Sequence, residues 1–227
     1  MNAADRPAAS PDLAARQWIY RFLARGYSYP GPDFGRGLHQ PELWDCLAAA
    51  GRPLGDHVGR EIARLRACIG EECPLLDLQV EFTYLFVTAN PHVPAPPYES
   101  AYSREGLLMG EAVSQVLQAY RNAGLAMRQT PGLLPDHVST ELEFVAYLAG
   151  QEAAARPEVP AGVETWRARQ QRFLEEHLLC WGPAFVGRVT QHARRPFYAQ
   201  LADLTAALLR AEEQRLRRSE SAAGRKP

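Results

Sequence analysis

The chain holds one lysine, Lys226, close to its C-terminal end. A Walker-type phosphate loop and a Schiff-base centre both need a lysine in the folded core, so both are excluded. Cysteine is scarce as well: Cys46, Cys68, Cys73 and Cys180 are scattered, with no CxxC pair. That argues against a disulfide scaffold and fits a reducing compartment. Long apolar runs are missing, and none approaches the roughly 20 residues that cross a bilayer. Residues 1–11 are rich in Ala and Pro but lack the apolar core of a signal peptide. Charge of one sign is missing too. The formal net charge is -1 and the pI about 6.6, whereas a nucleic-acid-binding domain is usually strongly basic. The expectation is a soluble, cytoplasmic protein with no nucleic-acid partner and no membrane insertion.

Strand-like alternation and internal repeats are also absent. Helical periodicity is what the sequence offers. The spacing predicts helices over 12–27 (Trp18, Phe22 and Leu23 on the apolar face), 41–50, 56–69 (Val58, Ile62, Leu65, Ile69) and 74–87. A long helix is expected over 103–123, capped by Ser103 and stopped by Gly124, with Leu107, Val113, Val116, Leu117 and Tyr120 inward. Further helices are expected from Pro135 to about residue 154 and over 164–181. The Gly182-Pro183 pair should break the chain there, with helix resuming over 184–193. Pro196 should open the last helix, whose apolar face fades beyond Arg210. The fold class is therefore all-α: a globular helical bundle of about eight to ten helices over 12–218, given typical helix lengths. Disordered ends are expected at 1–11 and 219–227, and a point of subdivision near 156–160.

Two stretches stand out. Residues 88–102 hold Pro91, Pro94, Pro96 and Pro97, so they cannot be helix, yet Tyr98 and Tyr102 interleave with them. Aromatics in a stiffened loop lose little entropy on binding and suit one wall of a site; the alternative is a rigid surface connection. The second stretch is Leu134-Pro135-Asp136-His137-Val138-Ser139-Thr140-Glu141. Pro135 reads as a first helical residue and Asp136 as a charge favoured by the helix dipole, which puts Asp136 and His137 at the mouth of the helix. The plainer reading makes Asp136 a cap and His137–Glu141 a surface pair.

No set of nucleophile, base and oxyanion donors assembles. GxSxG, GxGxxG and HExxH are all absent. His177 and Cys180 are three apart on a helix, but a closed zinc site needs four ligands and no second pair accompanies them. No catalytic residue, metal or cofactor is expected. What remains is a binding surface. If the helix between the two stretches is a hairpin arm, they converge. Asp136 or Glu99 could then pair a guanidinium, with Tyr98 and Tyr102 stacking on it.

Four blocks in order resemble the TorD/DmsD/NarJ family of cytoplasmic molybdoenzyme chaperones, also called redox enzyme maturation proteins. They are Glu81-Phe82-Thr83-Tyr84-Leu85-Phe86; Pro96-Pro97-Tyr98-Glu99-Ser100-Ala101-Tyr102; Pro135-Asp136-His137-Val138 with Glu141-Leu142-Glu143-Phe144; and Phe173-Leu174-Glu175-Glu176-His177-Leu178 with Trp181, Pro183, Phe185 and Pro196-Phe197-Tyr198. The resemblance covers roughly residues 12–212. It implies an all-α chaperone, not an enzyme, which binds the apo catalytic subunit of a DMSO-reductase-type molybdoenzyme, often at a twin-arginine signal peptide. It would hold that subunit for molybdenum cofactor insertion, then assembly or export. It also implies a client site made by Asp136, His137, Pro135, Tyr98, Glu99, Ser100 and Tyr102, lined by Leu85 and Phe86. The chain departs from the pattern at Leu133-Leu134-Pro135, where many members carry an acidic residue, and at Tyr98, where some have Trp. Both departures bear on the client rather than the family. Guanine-nucleotide binding, linked to some members, is not expected without a phosphate loop. The oligomeric expectation is a monomer or a domain-swapped dimer. The alternative function is a permanent scaffold or assembly subunit of a redox complex.

Overall fold

Proline stands at the first position of five helices, where its fixed φ is already helical and its missing N–H has no partner to lose. The computed structural model describes residues 11–69, 74–89, 91–103, 110–126, 134–155 and 160–223. In chain order its helices are α1 (Pro11–Gly26), α2 (Pro32–Leu38), α3 (Pro41–Gly51), α4 (Asp56–Ile69), α5 (Leu75–Phe82), α6 (Glu111–Asn122), α7 (Val138–Ala154), α8 (Pro160–Phe173), α9 (Leu179–His192) and α10 (Pro196–Ala223). Among the described residues there is no strand; one isolated antiparallel bridge joins Tyr98 to His137. No described helix is long and apolar enough to cross a membrane.

α7 is the axis. Val138, Leu142, Val145, Leu148 and Ala149 are buried, and so are Ser139, Glu141 and Glu152 on its other faces. Its one open stripe is Glu143, Tyr147, Gly150, Gln151 and Ala154, so the helix sits largely inside the bundle. α1 packs along it, α8 covers another side, and α10 closes the core against α4 and α9. Beneath the loop after α5, Tyr27, Phe82, Phe86, Phe185 and Tyr198 form an aromatic cluster. Its ring centroids lie as close as 5.0 Å, for Phe82 and Phe86. Most of these pairs meet edge to face, the geometry the ring quadrupoles favour.

Several boundaries differ from those the sequence suggests. α2 is an additional helix: its two glycines hide it from propensity, but Phe34 and Leu38 are buried and hold it in place. Trp18 is not on the inner face of α1; it is 53% exposed, and Tyr20 is buried instead. The helix start expected after Ser103 falls on 104–109, outside the described residues, and the Ser103 hydroxyl donates to the Ser100 carbonyl at 2.9 Å. α6 begins at Glu111 after Gly110. Gly124 does stop it, at φ 78°, a conformation costly for any residue with a Cβ. Pro183 does not break the chain: it lies inside α9, on the exposed face. The π turn Leu174–Leu178 just upstream changes the hydrogen-bond register, and a solvent-side carbonyl can tilt to water. α10 continues to Ala223, past the expected start of the tail, with Glu212 and Leu216 buried. The expectations for 1–10, for Leu107, for the break at 156–159 and for 224–227 lie outside the described residues.

Candidate functional site

The two stretches singled out in the sequence meet. The Val138 amide donates to the Pro97 carbonyl at 2.8 Å, and the Glu99 amide to the Asp136 carbonyl at 3.0 Å. The Ser100 amide donates to Asp136 Oδ2 at 2.9 Å. Three hydrogen bonds thus close a seam between the proline-rich loop and the entry to α7. This pairing delays the helix. Pro135 and Asp136 form a turn, closed by the His137 amide donating to the Leu134 carbonyl at 3.2 Å, and His137 is extended against the loop, so α7 starts at Val138, not at Pro135, and His137 takes the N-cap position. The His137 Nδ1 accepts from the Ser139 amide at 3.1 Å and lies 2.7 Å from the Ser139 hydroxyl. Burial lowers its pKa from 6.5 to about 4. The ring is therefore neutral, as an accepting Nδ1 requires, with its proton on Nε2.

Neither residue sits at an open mouth. Asp136 is 0% and His137 6% exposed. Ser100 and Glu99 are buried beside them. The Glu99 carboxylate faces His177 Nδ1 at 3.0 Å, and so is held inside the molecule. Next to it the Trp181 indole donates to Glu141 Oε2 at 3.0 Å. Burial, and then the charge of Glu99, push the Glu141 carboxyl well above its usual range. The shift favours the protonated form of Glu141, which lets two buried carboxyl groups share one pocket of the core. His177 lies in the π turn and Trp181 in α9, so the seam is stitched to a third part of the chain.

Leu85 and Phe86 are core residues, 0% and 4% exposed; they support the loop from below, and the Leu85 carbonyl accepts from the Ala95 amide at 3.0 Å. Tyr98, Tyr102 and Pro135 are the part-exposed members. The Tyr98 ring meets His137 edge-on at 5.1 Å. Tyr102 rests on Trp181 at 5.4 Å, and burial pushes its hydroxyl up to about 12. Pro135 is tied by its carbonyl to the Tyr120 hydroxyl at 2.9 Å. The partnership of Glu141, His177 and Trp181 was not readable as polar chemistry. Each sits at core spacing along its own helix, and only the tertiary fold brings them to Glu99. Among the described residues no group of three or more His, Cys, Asp or Glu side chains could hold a metal.

The sequence model of the nitrate reductase delta subunit family matches residues 52–187, from just after α3 into α9 and across the whole seam. The chain belongs to this family. Within it stand the TorD/NarJ redox enzyme maturation proteins that the four sequence blocks resemble. The perchlorate reductase assembly chaperone of Dechloromonas aromatica is 29% identical over 84% of each chain. A TorD chaperone of Vibrio cholerae is 31% identical over 61% of each. The chlorate reductase assembly chaperone of Ideonella dechloratans is 27% identical over 87% of each.

In this delta-subunit fold the Asp136 carboxylate is a structural tie, and removing it has a defined result. Asp136→Ala leaves the Ser100 amide buried without its acceptor, which costs about 1–3 kcal/mol. The expected outcome is a lower midpoint in urea, with helix content retained and faster amide exchange at Ser100. Unchanged exchange at Ser100 would remove the carboxylate from this role.

Proposed function

We propose that the protein is a cytoplasmic, system-specific chaperone that binds the apo catalytic subunit of a DMSO-reductase-type molybdoenzyme. It holds that subunit, in part through its signal peptide, until the molybdenum cofactor is inserted. It carries out no catalysis of its own. The observation that supports this most is the likeness to a perchlorate reductase assembly chaperone over 84% of both chains. Tyr98, Tyr102 and Pro135 present the client-contacting surface. Asp136, His137, Glu99 and Ser100 fix its shape from within, with Leu85 and Phe86 beneath.

The test is capture of the tagged full chain from its host grown anaerobically, with bound proteins identified by mass spectrometry. A cofactor-free reductase subunit is expected. Tyr98→Ala should weaken capture about tenfold, on the scale of about 1.4 kcal/mol, without changing the melting temperature as Asp136→Ala does. Capture that survives Tyr98→Ala and Tyr102→Ala together removes the loop from the contact surface. The family's description as a reductase subunit supports a second reading, a permanent scaffold. Recovery of a stoichiometric, cofactor-loaded complex would decide for it.

A further inference from the structure

A second feature lies on the far side of His177. Between α6, α7 and α8 is a cavity of about 680 Å³, within the range of about 300–1,000 Å³ usual for ligand sites. None of the seam residues predicted from sequence lines it. Its floor is aromatic: Phe144 and Phe173 pack at 4.7 Å between centroids, and the His177 ring lies 4.7 Å from Phe173. Ala119 and Ala168 on its walls leave the space open. Its rim carries Arg169 and Arg172 from α8 and the amides of Gln115 and Gln118 from α6.

His177 is the informative residue. It is 2% exposed, and both oxygens of Glu99 sit about its Nδ1, at 3.0 and 3.1 Å. A nitrogen facing a carboxylate at that distance carries the proton, so a neutral ring presents Nε2 as an acceptor. Among the described residues no partner for Nε2 is recorded, and the residue lines the cavity. A polar atom that a 2%-exposed ring turns to a cavity, without a protein partner, is suited to one from outside. The best occupant of that position is an N–H or O–H donor carried on a flat apolar body, to suit the aromatic floor.

The rim sets the remaining chemistry. The Arg169 guanidinium stacks 4.6 Å over the Trp166 ring, which fixes its plane and leaves its N–H edge for a carboxylate. Arg172 is only loosely paired, 3.9 Å from Glu176. The Gln115 and Gln118 amides donate to Glu111 and Asn122 at 2.9 and 2.8 Å, which leaves their carbonyl oxygens and second N–H for an extended peptide backbone. A polyphosphate suits the cavity poorly, because two arginines on one side of the rim do not offset its several charges, whereas a single carboxylate needs no more than that pair.

We propose that this cavity binds an acidic peptide segment through a Trp or Tyr side chain, the ring on Phe144 and Phe173, its donor on His177 Nε2 and a neighbouring carboxylate on Arg169 and Arg172. That the segment belongs to a client protein rests on the chaperone reading. Through the Glu99–His177 contact, an occupant here touches the same stitched core that shapes the loop at 97–102.

The probes are short labelled peptides with a central Trp, one flanked by Asp and Glu and one by Lys, titrated into the full chain by fluorescence anisotropy. The acidic peptide is expected to bind at least about tenfold tighter than the basic one. Replacing its Trp by Phe, which removes the donor, should weaken it about tenfold. Ala168→Trp, at an exposed α8 position, should fill the cavity and abolish binding, and Arg169→Glu with Arg172→Glu should reverse the charge preference. Equal affinity for the two peptides, or binding untouched by Ala168→Trp, overturns the proposal. A chain that captures a reductase subunit yet shows either result loses the cavity site and keeps the chaperone function. A chain that binds the acidic peptide as described but captures no reductase subunit keeps the site and loses the chaperone function.

Discussion

Arg16→Ala should lower the melting temperature by about 10 °C, the largest single-residue effect expected outside the seam. Arg16 projects from α1 into the core and is 1% exposed. Its Nε meets Glu212 Oε1 at 2.5 Å, and its terminal nitrogen donates to Gln170. Arg215 reaches the other oxygen of Glu212 at 2.8 Å. Burial pushes the Glu212 carboxyl up, but the two guanidinium groups outweigh it and hold its pKa below the usual value. Removing Arg16 leaves a 2%-exposed carboxylate with one charged partner, the half-buried Arg215. Breaking a buried pair in this way costs about 3–5 kcal/mol. In a chain of this size each kcal/mol moves the midpoint by about 2–4 °C. The double variant Arg16→Met, Glu212→Leu removes both charges together and should recover most of the loss, since an apolar pair of similar volume often serves as well. A midpoint for Arg16→Ala within about 2 °C of wild type would show that the pair contributes little.

The same pair explains why the end of the chain was hard to read. From Arg210 onward the sequence is Glu- and Arg-rich and looks like a solvated tail. What keeps α10 helical there is a partner 196 residues away in sequence, a contact that local pattern cannot reveal. α4 is the opposite case. Asp56, Val58, Ile62, Leu65 and Ile69 are a local code, and the helix runs from Asp56 to Ile69 as that code suggests. The seam falls between. Chain order alone pointed to the proline-rich loop and the α7 entry meeting at one end of a hairpin, and they do meet. What order could not convey is that each satisfies the other's backbone. That is why α7 begins three residues late, at Val138 instead of Pro135, and why Asp136 and His137 face inward. Pro183 taught the same lesson: a helix breaker by composition is tolerated where a π turn and an exposed face absorb it. The part of the site that stayed hidden, Glu99 with Glu141, His177 and Trp181, is held by contacts spanning 40 and 78 residues.

Acid should weaken the fold through His137, and this can be separated from every other titration. The folded-state pKa of about 4 lies below the ordinary 6.5, so the unfolded chain binds more protons between those values. Stability from this residue is complete above about pH 6.5, falls as pH drops, and is gone below about 4. The full difference is about 3 kcal/mol. Glu141 acts in the other direction. Its folded-state pKa is raised above 4.5, so its contribution is present below that value and lost as pH rises through the folded one. In wild type the two slopes oppose each other above about pH 4.5, and a simple pH scan shows only their sum. His137→Asn resolves them. Asparagine is a good N-cap and can still accept from the Ser139 amide, so the helix start is kept while the titration is removed. Urea midpoints of wild type and His137→Asn, measured from pH 7 to 4, should therefore diverge, with the variant gaining about 3 kcal/mol on wild type as the pH falls. Glu141→Gln, which keeps a neutral side chain at the Trp181 indole, should instead steepen the acid limb between about pH 4.5 and 6.5 by removing the opposing slope. If wild type and His137→Asn run parallel across that range, His137 is not held neutral by burial, and its place as an accepting cap at the start of α7 fails with it.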